Sequence, residues 1–350
     1  PLWVVLASFA TLVPVGSVPL RVALLSGFFI ATTSRLLYSV ALGLARANLR
    51  DPALDGVWDA RIAPIAALSV SLLATTGPAV IRQATRVEVY ALAAMLAVIT
   101  LGLATTTRIP LATRARLSVL VVALGGANHH FIALTAAPVA FFTVLACLRS
   151  RTLATVGSSL VAWGLMGAMG LAPYALLFLR ADTTASLVRV RTLGDFLWTV
   201  SARAFQKNAG GGVPGTFGEH VLDVLEVVGT SLTPAGILMA LVGTFTLLRS
   251  DEGDSVSRAT VLRLFVLATV VCLARALLGF IAGNPDAAGY LAPGVVAIAC
   301  LGVGFPTAFW RAIRMAPASA SGPTPAARAL LTVVVVVLPL SIPFYSVFAG

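Results

Sequence analysis

Polar residues that could take part in chemistry interrupt an otherwise apolar sequence at four places. In a membrane, polar side chains are costly and are therefore the default candidates for a functional site. The candidates are Arg82, Arg86, Glu88 and Tyr90 in the segment RQATRVEVY; the run Asn128, His129 and His130; Tyr174 and Arg180; and Asp286 and Tyr290 in the segment NPDAAGY. Together they predict one substrate-binding site assembled from distant segments.

The residue types in this set favour a phosphorylated substrate. A guanidinium fork matches phosphate oxygens and stays charged, which suits Arg82, Arg86 and Arg180. His129 and His130 could neutralise a leaving phosphate or move a proton. Glu88 is the candidate catalytic carboxylate, acting as a general base or as the partner of an arginine.

A purely structural role is open for each of these groups. Glu88 could pair with Arg82 or Arg86, and the histidines could cap a helix end or lock a hairpin. Arg180, with the arginines that follow it, could contact lipid headgroups, and Asp286 could form a turn. The histidine pair and the three apolar-run cysteines lack metal-ligand spacing, so we predict no metal site and no cofactor, although a divalent metal requirement stays open.

The composition sets the class of protein. Of the 350 residues, 59% are hydrophobic and 11% are charged, whereas about 25% are charged in a soluble domain. The mean hydropathy is +0.98. These values exclude a soluble enzyme and a disordered chain. A nucleic-acid-binding protein is also excluded, because the net charge of +11 is scattered between apolar runs. Such scattered arginines instead indicate membrane topology.

The apolar runs predict an all-α, polytopic transmembrane bundle in a single domain, 1–350, with the lipid bilayer as its surroundings. A span needs about 20 apolar residues. Residues 1–13 are too short to span and suggest a short interfacial or re-entrant helix. Because the sequence begins at Pro1, we expect a fragment that lacks its first span and first outer loop. The predicted spans are 19–45, 62–81, 87–106, 153–179, 221–248, 259–282, 288–314 and 327–348.

The stretch 117–148 predicts a hairpin. A single helix of this length would be about 48 Å long, which exceeds the hydrocarbon thickness of about 30 Å, and Asn128-His129-His130 lies at its centre. Arginines flank both ends, so the positive-inside rule places both ends in the cytoplasm and the tip outside. The first leg, 117–128, would be short, at about 18 Å. With this hairpin, the chain has about ten membrane segments.

The segment 180–220 is the longest predicted outer loop. Leu193, Phe196, Leu197 and Val200 recur at helical spacing within it. This spacing predicts an amphipathic helix over 193–205, with Phe196, Leu197 and Val200 facing lipid or the protein body.

At these motifs the sequence resembles a bacterial family of multi-spanning membrane proteins of unknown function, which is related to protein O-mannosyltransferases of the GT-C glycosyltransferase type. Each motif is short, and the ordered set extends over nearly the whole chain. The matching segments are Pro1-Leu2-Trp3 with the end of H-P-P-G-x-P-L-Y; RVALLS at 21–26 with R-V-N-L-L-S; Glu88-Val89-Tyr90 with E-V-Y; Asn128-His129 with G-N-H; Pro173-Tyr174 and Leu179-Arg180-Ala181 with P-Y-x-x-L-P-x-R-A; and Gly289-Tyr290-Leu291 with G-Y-L.

The sequence also departs from that family. Ala127 stands where the family has glycine, and Arg180-Ala181 is not followed by N-W-G-D-P. The family's acidic D-S-G-E segment lies upstream of H-P-P-G, so the resemblance implies that the principal catalytic aspartate is expected upstream of Pro1.

The resemblance implies a GT-C-like membrane glycosyltransferase of a bacterial inner membrane. It would transfer a sugar from a polyprenyl-phosphate carrier to a protein or glycan acceptor on the extracytoplasmic face. The alternative is a transporter or flippase for a lipid-linked or anionic substrate, which would use the same residues in an alternating-access cavity. A transporter should have ionisable residues near the bilayer midplane, where Arg35 and Arg275 are the candidates. A third hypothesis is that the protein is a structural subunit of a membrane complex.

Overall fold

The computed structural model describes residues 1–49, 57–183, 189–201, 203, 215–249, 255–280, 284, 286–315, 324, 326, 329 and 330. In these residues the chain forms helices joined by loops and turns. The predicted span 327–348 therefore lies almost entirely outside the described residues. The helices are α1 (Leu2–Thr11), α2 (Val18–Asn48), α3 (Val57–Thr76), α4 (Pro78–Thr85), α5 (Tyr90–Thr105), α6 (Leu111–Arg149), α7 (Leu153–Leu171), α8 (Ala175–Leu179), α9 (Leu193–Val200), α10 (Phe217–Arg249), α11 (Ser255–Leu278), α12 (Ala287–Leu301) and α13 (Gly304–Met315).

Five described helical segments are long and apolar enough to cross a bilayer: Val18–Asn48, Thr155–Leu179, Phe217–Arg249, Ser257–Leu278 and Ala287–Ala312. The bent pair α3–α4 would make a sixth. The all-α prediction is confirmed, but among the described residues the number of full-length spans stays below the predicted ten. Helix α5 shows one reason. It has 16 residues, about 24 Å, which is shorter than a hydrocarbon core of about 30 Å.

Two predicted spans are broken where their bends pack together. The run 62–81 bends by 67° between α3 and α4. Gly77 caps α4 there, and a Cβ at this position would lie 2.4 Å from the carbonyl oxygen of Ser231 in α10. Only glycine permits that approach. The Ser231 hydroxyl accepts a hydrogen bond from Ala79 N–H at 3.2 Å, which satisfies one backbone donor of the first turn of α4.

Helix α10 is interrupted two residues beyond Ser231. Thr233 has φ 60° and ψ 163°, a left-handed φ that is strained for a β-branched residue. Pro234 follows, and proline disfavours helical geometry in the residue before it. The proline therefore accounts for the position of the break within an otherwise continuous apolar run.

Helix α6 reverses direction at His129, whose dihedral angles (φ −152°, ψ 101°) are not helical. A Cβ built on Gly125 would lie 3.3 Å from the Cβ of Ala133, although eight residues of straight helix extend about 12 Å. Ala115 and Cys147, near the two ends, belong to one buried cluster. The predicted fold-back of this stretch is therefore confirmed in its geometry.

The first leg of this hairpin is longer than predicted. The helix begins at Leu111, so residues 111–128 extend about 27 Å. Arg114 and Arg116, which precede the predicted apolar leg, lie inside the helix because arginine is a good helix former. The description of the hairpin as short-legged is therefore wrong.

The centre of the bundle is α12, which packs against α3, α5, α10 and α11. Leu291, Val295 and Cys300 are fully buried there. Helix α7 has the opposite character: Leu160, Val161 and Leu165 are each more than half exposed. Such an apolar exposed face fits contact with lipid acyl chains.

A helix is present at the predicted position but is shorter within the described residues, where α9 covers Leu193–Val200. Thr192 and Asp195 form a reciprocal capping box at its start, which fixes where the helix begins. Phe196 packs against the rings of Tyr174 and Phe178, whereas Leu197 is 57% exposed. Residues 202, 204 and 205 lie outside the described part of the chain.

Candidate functional site

The loop between α4 and α5 meets the turn before α12. Arg86 Nη1 lies 3.4 Å from Asp286 Oδ1, with both side chains about one third exposed. The Arg86 carbonyl accepts a hydrogen bond from the Ser26 hydroxyl at 2.6 Å. Asp286 N–H donates to Asn284 Oδ1 at 2.9 Å, so the predicted turn at Asp286 is also present. Two of the predicted site segments are thus joined by an ion pair.

Glu88 lies two residues beyond Arg86 on the same loop and is partly buried. Burial raises the pKa of its carboxyl group; the neighbouring Asp286 raises it further, and Arg86 opposes the rise. A carboxyl group with a raised pKa can both release and accept a proton closer to neutral pH, which is what general acid–base catalysis requires.

The hairpin tip is fastened to this loop through Asn128, which is 8% exposed. Its side-chain amide Nδ2 donates to the carbonyl of Val89 at 2.9 Å. Asn128 Oδ1 and His129 Nδ1 are buried and have no hydrogen-bond partner among the described residues. Buried polar atoms are normally satisfied, so these two could be completed by a polar substrate.

An aromatic cluster surrounds His129. Its ring centroid lies 5.0 Å from that of Tyr290 and 5.7 Å from that of Tyr90, and the two tyrosine rings are 5.3 Å apart. His130 stacks on His129 at 5.7 Å and is exposed. The rings of Phe131 and Phe280 also pack against Tyr290, with ring centroids 5.2 and 4.6 Å from that of Tyr290, and complete the aromatic cluster. The tip, α5 and α12 therefore converge on one group of rings.

The contact between Tyr90 and α12 depends on Gly289. A Cβ at Gly289 would lie 2.6 Å from atoms of the Tyr90 ring, which is closer than carbon atoms can approach. The absence of a side chain at residue 289 therefore lets the tyrosine ring approach the start of α12 closely.

Tyr174 lies next to the tip and serves the fold. Its hydroxyl donates to the carbonyl of Gly126 at 2.7 Å, and its ring meets that of Phe196. The hydroxyl thereby ties the turn between α7 and α8, and through Phe196 helix α9, to the first leg of the hairpin.

Arg82 and Arg180 are exposed and have no described contact with the aromatic cluster. Arg82 lies on α4 and Arg180 directly follows α8. Of the three predicted arginines, Arg86 is therefore the one with described interactions at the site, with Asp286 and Glu88.

Sequence reasoning missed an ion pair at the edge of the cluster. Arg275 Nη2 contacts Asp223 Oδ2 closely, and the Arg275 guanidinium lies over the Phe280 ring, 4.2 Å from its centroid. Arg275 was expected near the middle of a span, but it lies in the last turn of α11. Arg35 lies on an exposed face of α2 and donates to Ser39. The sequence feature that indicates this ion pair is the presence of an acidic residue, Asp223, near the start of α10 and a basic residue, Arg275, near the end of α11.

Comparison with known proteins gives one match. Residues 1–153 match the family model described as the protein O-mannosyl-transferase TMEM260 N-terminal domain. No curated protein and no solved structure shows a significant match to the chain. The matched region includes Glu88-Val89-Tyr90 and the Asn128-His129 tip, and it ends at the first residue of α7.

Proposed function

We propose that this protein is a membrane glycosyltransferase of the GT-C type that resembles the protein O-mannosyltransferases. It transfers a sugar from a polyprenyl-phosphate carrier to a hydroxyl group of a protein or glycan acceptor on the extracytoplasmic face of the membrane. The observation that carries the proposal is the match of residues 1–153 to an O-mannosyl-transferase domain. The Asn128–Val89 hydrogen bond, which joins the loop to the hairpin tip, lies within that region.

The chemistry assigns a role to each group around the tip. A carboxylate takes the proton of the acceptor hydroxyl, whose oxygen attacks the anomeric carbon of the sugar. The bond between that carbon and the phosphate oxygen breaks, and the phosphate leaves with the bonding electron pair. Arg86 and His129 stabilise the negative charge that develops on the phosphate. Glu88 is the candidate base within this chain, and its raised pKa favours proton transfer.

The aromatic cluster fits a substrate with one apolar face. A sugar ring and the first isoprene units present C–H groups to Tyr90, Tyr290 and Phe131, while Asn128 Oδ1 can accept a hydrogen bond from a sugar hydroxyl. Sites of this kind combine an apolar lining with a few oriented polar groups.

The test is transfer of radiolabelled mannose from polyprenyl-phosphate mannose to a serine- and threonine-containing peptide, using the full-length protein in nanodiscs. Glu88→Gln, His129→Ala and Arg86→Lys should each lower kcat by about a hundredfold or more, the scale for loss of one catalytic group. Glu226→Gln, at an exposed carboxylate of α10, is the matched control and should retain normal transfer.

The outcome decides between catalysis and transport. If the wild-type protein forms no glycosylated peptide but moves the lipid-linked sugar between leaflets, the transferase proposal is wrong. If transfer occurs and all three site variants fold and keep near-normal rates, the reaction is retained and the assignment of these residues is wrong.

A further inference from the structure

Arg275 is almost wholly buried, with its side chain 1% exposed. Three neighbours hold it in place. Nη2 contacts Asp223, Nε donates to the carbonyl of Ala287 at 3.4 Å, and the guanidinium plane lies over Phe280. These contacts fix the fork in one orientation at the junction of α10, α11 and α12.

One nitrogen of this fork is unused. Nη1 of Arg275 is buried and has no hydrogen-bond partner among the described residues. A buried donor without a partner is destabilising, and the effect is larger when the group is charged. Among the described residues, the two N–H donors of Nη1 on this fixed cation therefore lack an acceptor.

The unused donors lie beside the proposed sugar site. Phe280, on which Arg275 stacks, is 4.6 Å from Tyr290, and Tyr290 is 5.0 Å from His129. Arg275 thus contacts the edge of the aromatic cluster at Phe280, and it belongs to α11, which is outside the family-matched segment 1–153. Asp223 is 48% exposed, so the pair adjoins the surface through its carboxylate.

We propose that Arg275 is a phosphate-binding residue, whose Nη1 donates to a phosphate oxygen, and that Asp223 limits the affinity of this site. This inference rests on the proposed function, since the phosphate would be that of the lipid carrier or the free ion. Arginine is suited to this role because its planar fork can bind carboxylate on one edge and phosphate on the other. Asp223 positions the guanidinium and, as a neighbouring anion, repels the incoming phosphate.

The experiment measures binding without sugar transfer. The full-length protein in phosphatidylcholine nanodiscs is titrated with undecaprenyl phosphate, and thermal stabilisation is recorded; undecaprenol, which lacks the phosphate, is the ligand control. Arg275→Gln should weaken binding by about tenfold to a hundredfold, the value of a hydrogen bond to a charged group. Arg275→Lys, which keeps the charge and loses the fork, should also bind more weakly than the wild type.

Asp223→Asn distinguishes ligand binding from a purely structural ion pair. If Arg275 binds phosphate, removing the neighbouring negative charge should tighten binding several-fold. A structural pair predicts instead that the Asp223 and Arg275 variants lower stability alike and leave the affinity for the lipid phosphate unchanged. The control is Arg263→Gln, twelve residues earlier on α11 and about 18 Å along the helix, which should leave binding unchanged.

Inorganic phosphate separates the two sources of the ligand. Competition by millimolar inorganic phosphate would identify a site for the phosphate group alone, whereas binding that resists it would identify the phosphate together with its isoprenoid chain. Both results support the proposal, which is overturned if Asp223→Asn binds no more tightly than the wild type or if Arg275→Gln folds and binds normally. Since no sugar is transferred in this assay, normal Arg275-dependent binding with failed transfer would count against the proposed reaction alone.

Discussion

The amide of Asn128 donates to the carbonyl of Val89 across 2.9 Å, which joins residues 39 positions apart. Val89 lies between Glu88 and Tyr90, and Asn128 directly precedes the break at His129. This hydrogen bond therefore joins the hairpin tip to the α4–α5 loop, residues 86–89, whose carboxylate is Glu88. His129, the next residue, lies against Tyr90, with 5.7 Å between the two ring centroids.

Asn128→Ala should reduce both stability and transfer. Asn128 is buried, and its replacement removes one of two hydrogen bonds to the Val89 carbonyl, which also accepts from Ala93 N–H at 3.0 Å. Loss of one such hydrogen bond should destabilise the fold by about 0.5–1.5 kcal/mol. The control is Asn48→Ala, since Asn48 is equally buried and donates to Thr307 at 2.6 Å at a site distant in sequence. Both variants should unfold at lower temperature, but only Asn128→Ala should lower kcat once the amount of folded protein is matched. Equal kcat values for the two variants would show that the tip has no special role.

Gly289→Ala should disturb the aromatic cluster. The added methyl group would meet the Tyr90 ring at 2.6 Å, and overpacking of this kind typically costs about 1–3 kcal/mol. Gly102→Ala is the control, because its Cβ would meet nothing within 4 Å on the same helix as Tyr90. That control should be neutral or should stabilise the protein by about 0.5–1 kcal/mol. Thermal unfolding in nanodiscs measures both, and a stable Gly289→Ala protein would contradict the tight contact.

Much of the fold could be predicted from the sequence because span length and polar interruptions have simple physical meanings. The reversal near His129 follows from a run too long for the bilayer with polar residues at its centre. The bend at Gly77 could not be predicted in the same way, since it depends on the approach of Ser231, 154 residues later in the chain. Apolar content alone does not indicate which apolar run will be broken by a distant partner.

The candidate site was predictable in its residue types and less so in its pairing. The grouping of Tyr90, His129 and Tyr290 follows from their position at the ends of neighbouring segments. The pairing of Arg86 with Asp286 instead of Glu88 depends on how α12 approaches the loop, a tertiary feature without a local signal. Arg275 was placed too deep because the apolar run continues to residue 282, whereas the helix ends at Leu278.

The acidic limb of the pH–rate profile should report Glu88. If its carboxylate is the base, the rate rises as the pH increases through its raised pKa, and Glu88→Gln removes that limb. Asp286→Asn should move the limb to lower pH, since Asp286 raises the pKa, and Arg86→Gln should move it to higher pH, since Arg86 lowers it. Shifts in the same direction for both variants would contradict this arrangement.

The contribution of Glu88 to stability should fall as the pH increases, whereas its contribution to the rate should grow. Because its pKa in the folded protein lies above the unfolded value, its contribution is fully favourable below the unfolded pKa and is lost as the pH increases through the folded pKa. The free energy of unfolding of Glu88→Gln, taken relative to that of the wild type, should therefore be higher at neutral pH than at pH 4. Thermal unfolding across this range provides the measurement.

The membrane orientation of the hairpin can be tested at its ends and its tip. Both ends of a fold-back lie on one side of the membrane, and the arginines near them favour the cytoplasmic side. In a background without Cys147, Cys272 and Cys300, single cysteines at Arg116 and Ser150 should react only with reagents that enter the cytoplasm. A cysteine at His130 should react from outside. All three positions are exposed, whereas Ala115 is fully buried and would label poorly from either side. If positions 116 and 150 were labelled from opposite sides, the chain would have to cross the bilayer once between them. A single crossing conflicts with the fold-back that brings Gly125 next to Ala133. Labelling of position 130 from the cytoplasm would invert the hairpin and place the proposed sugar site on the inner face.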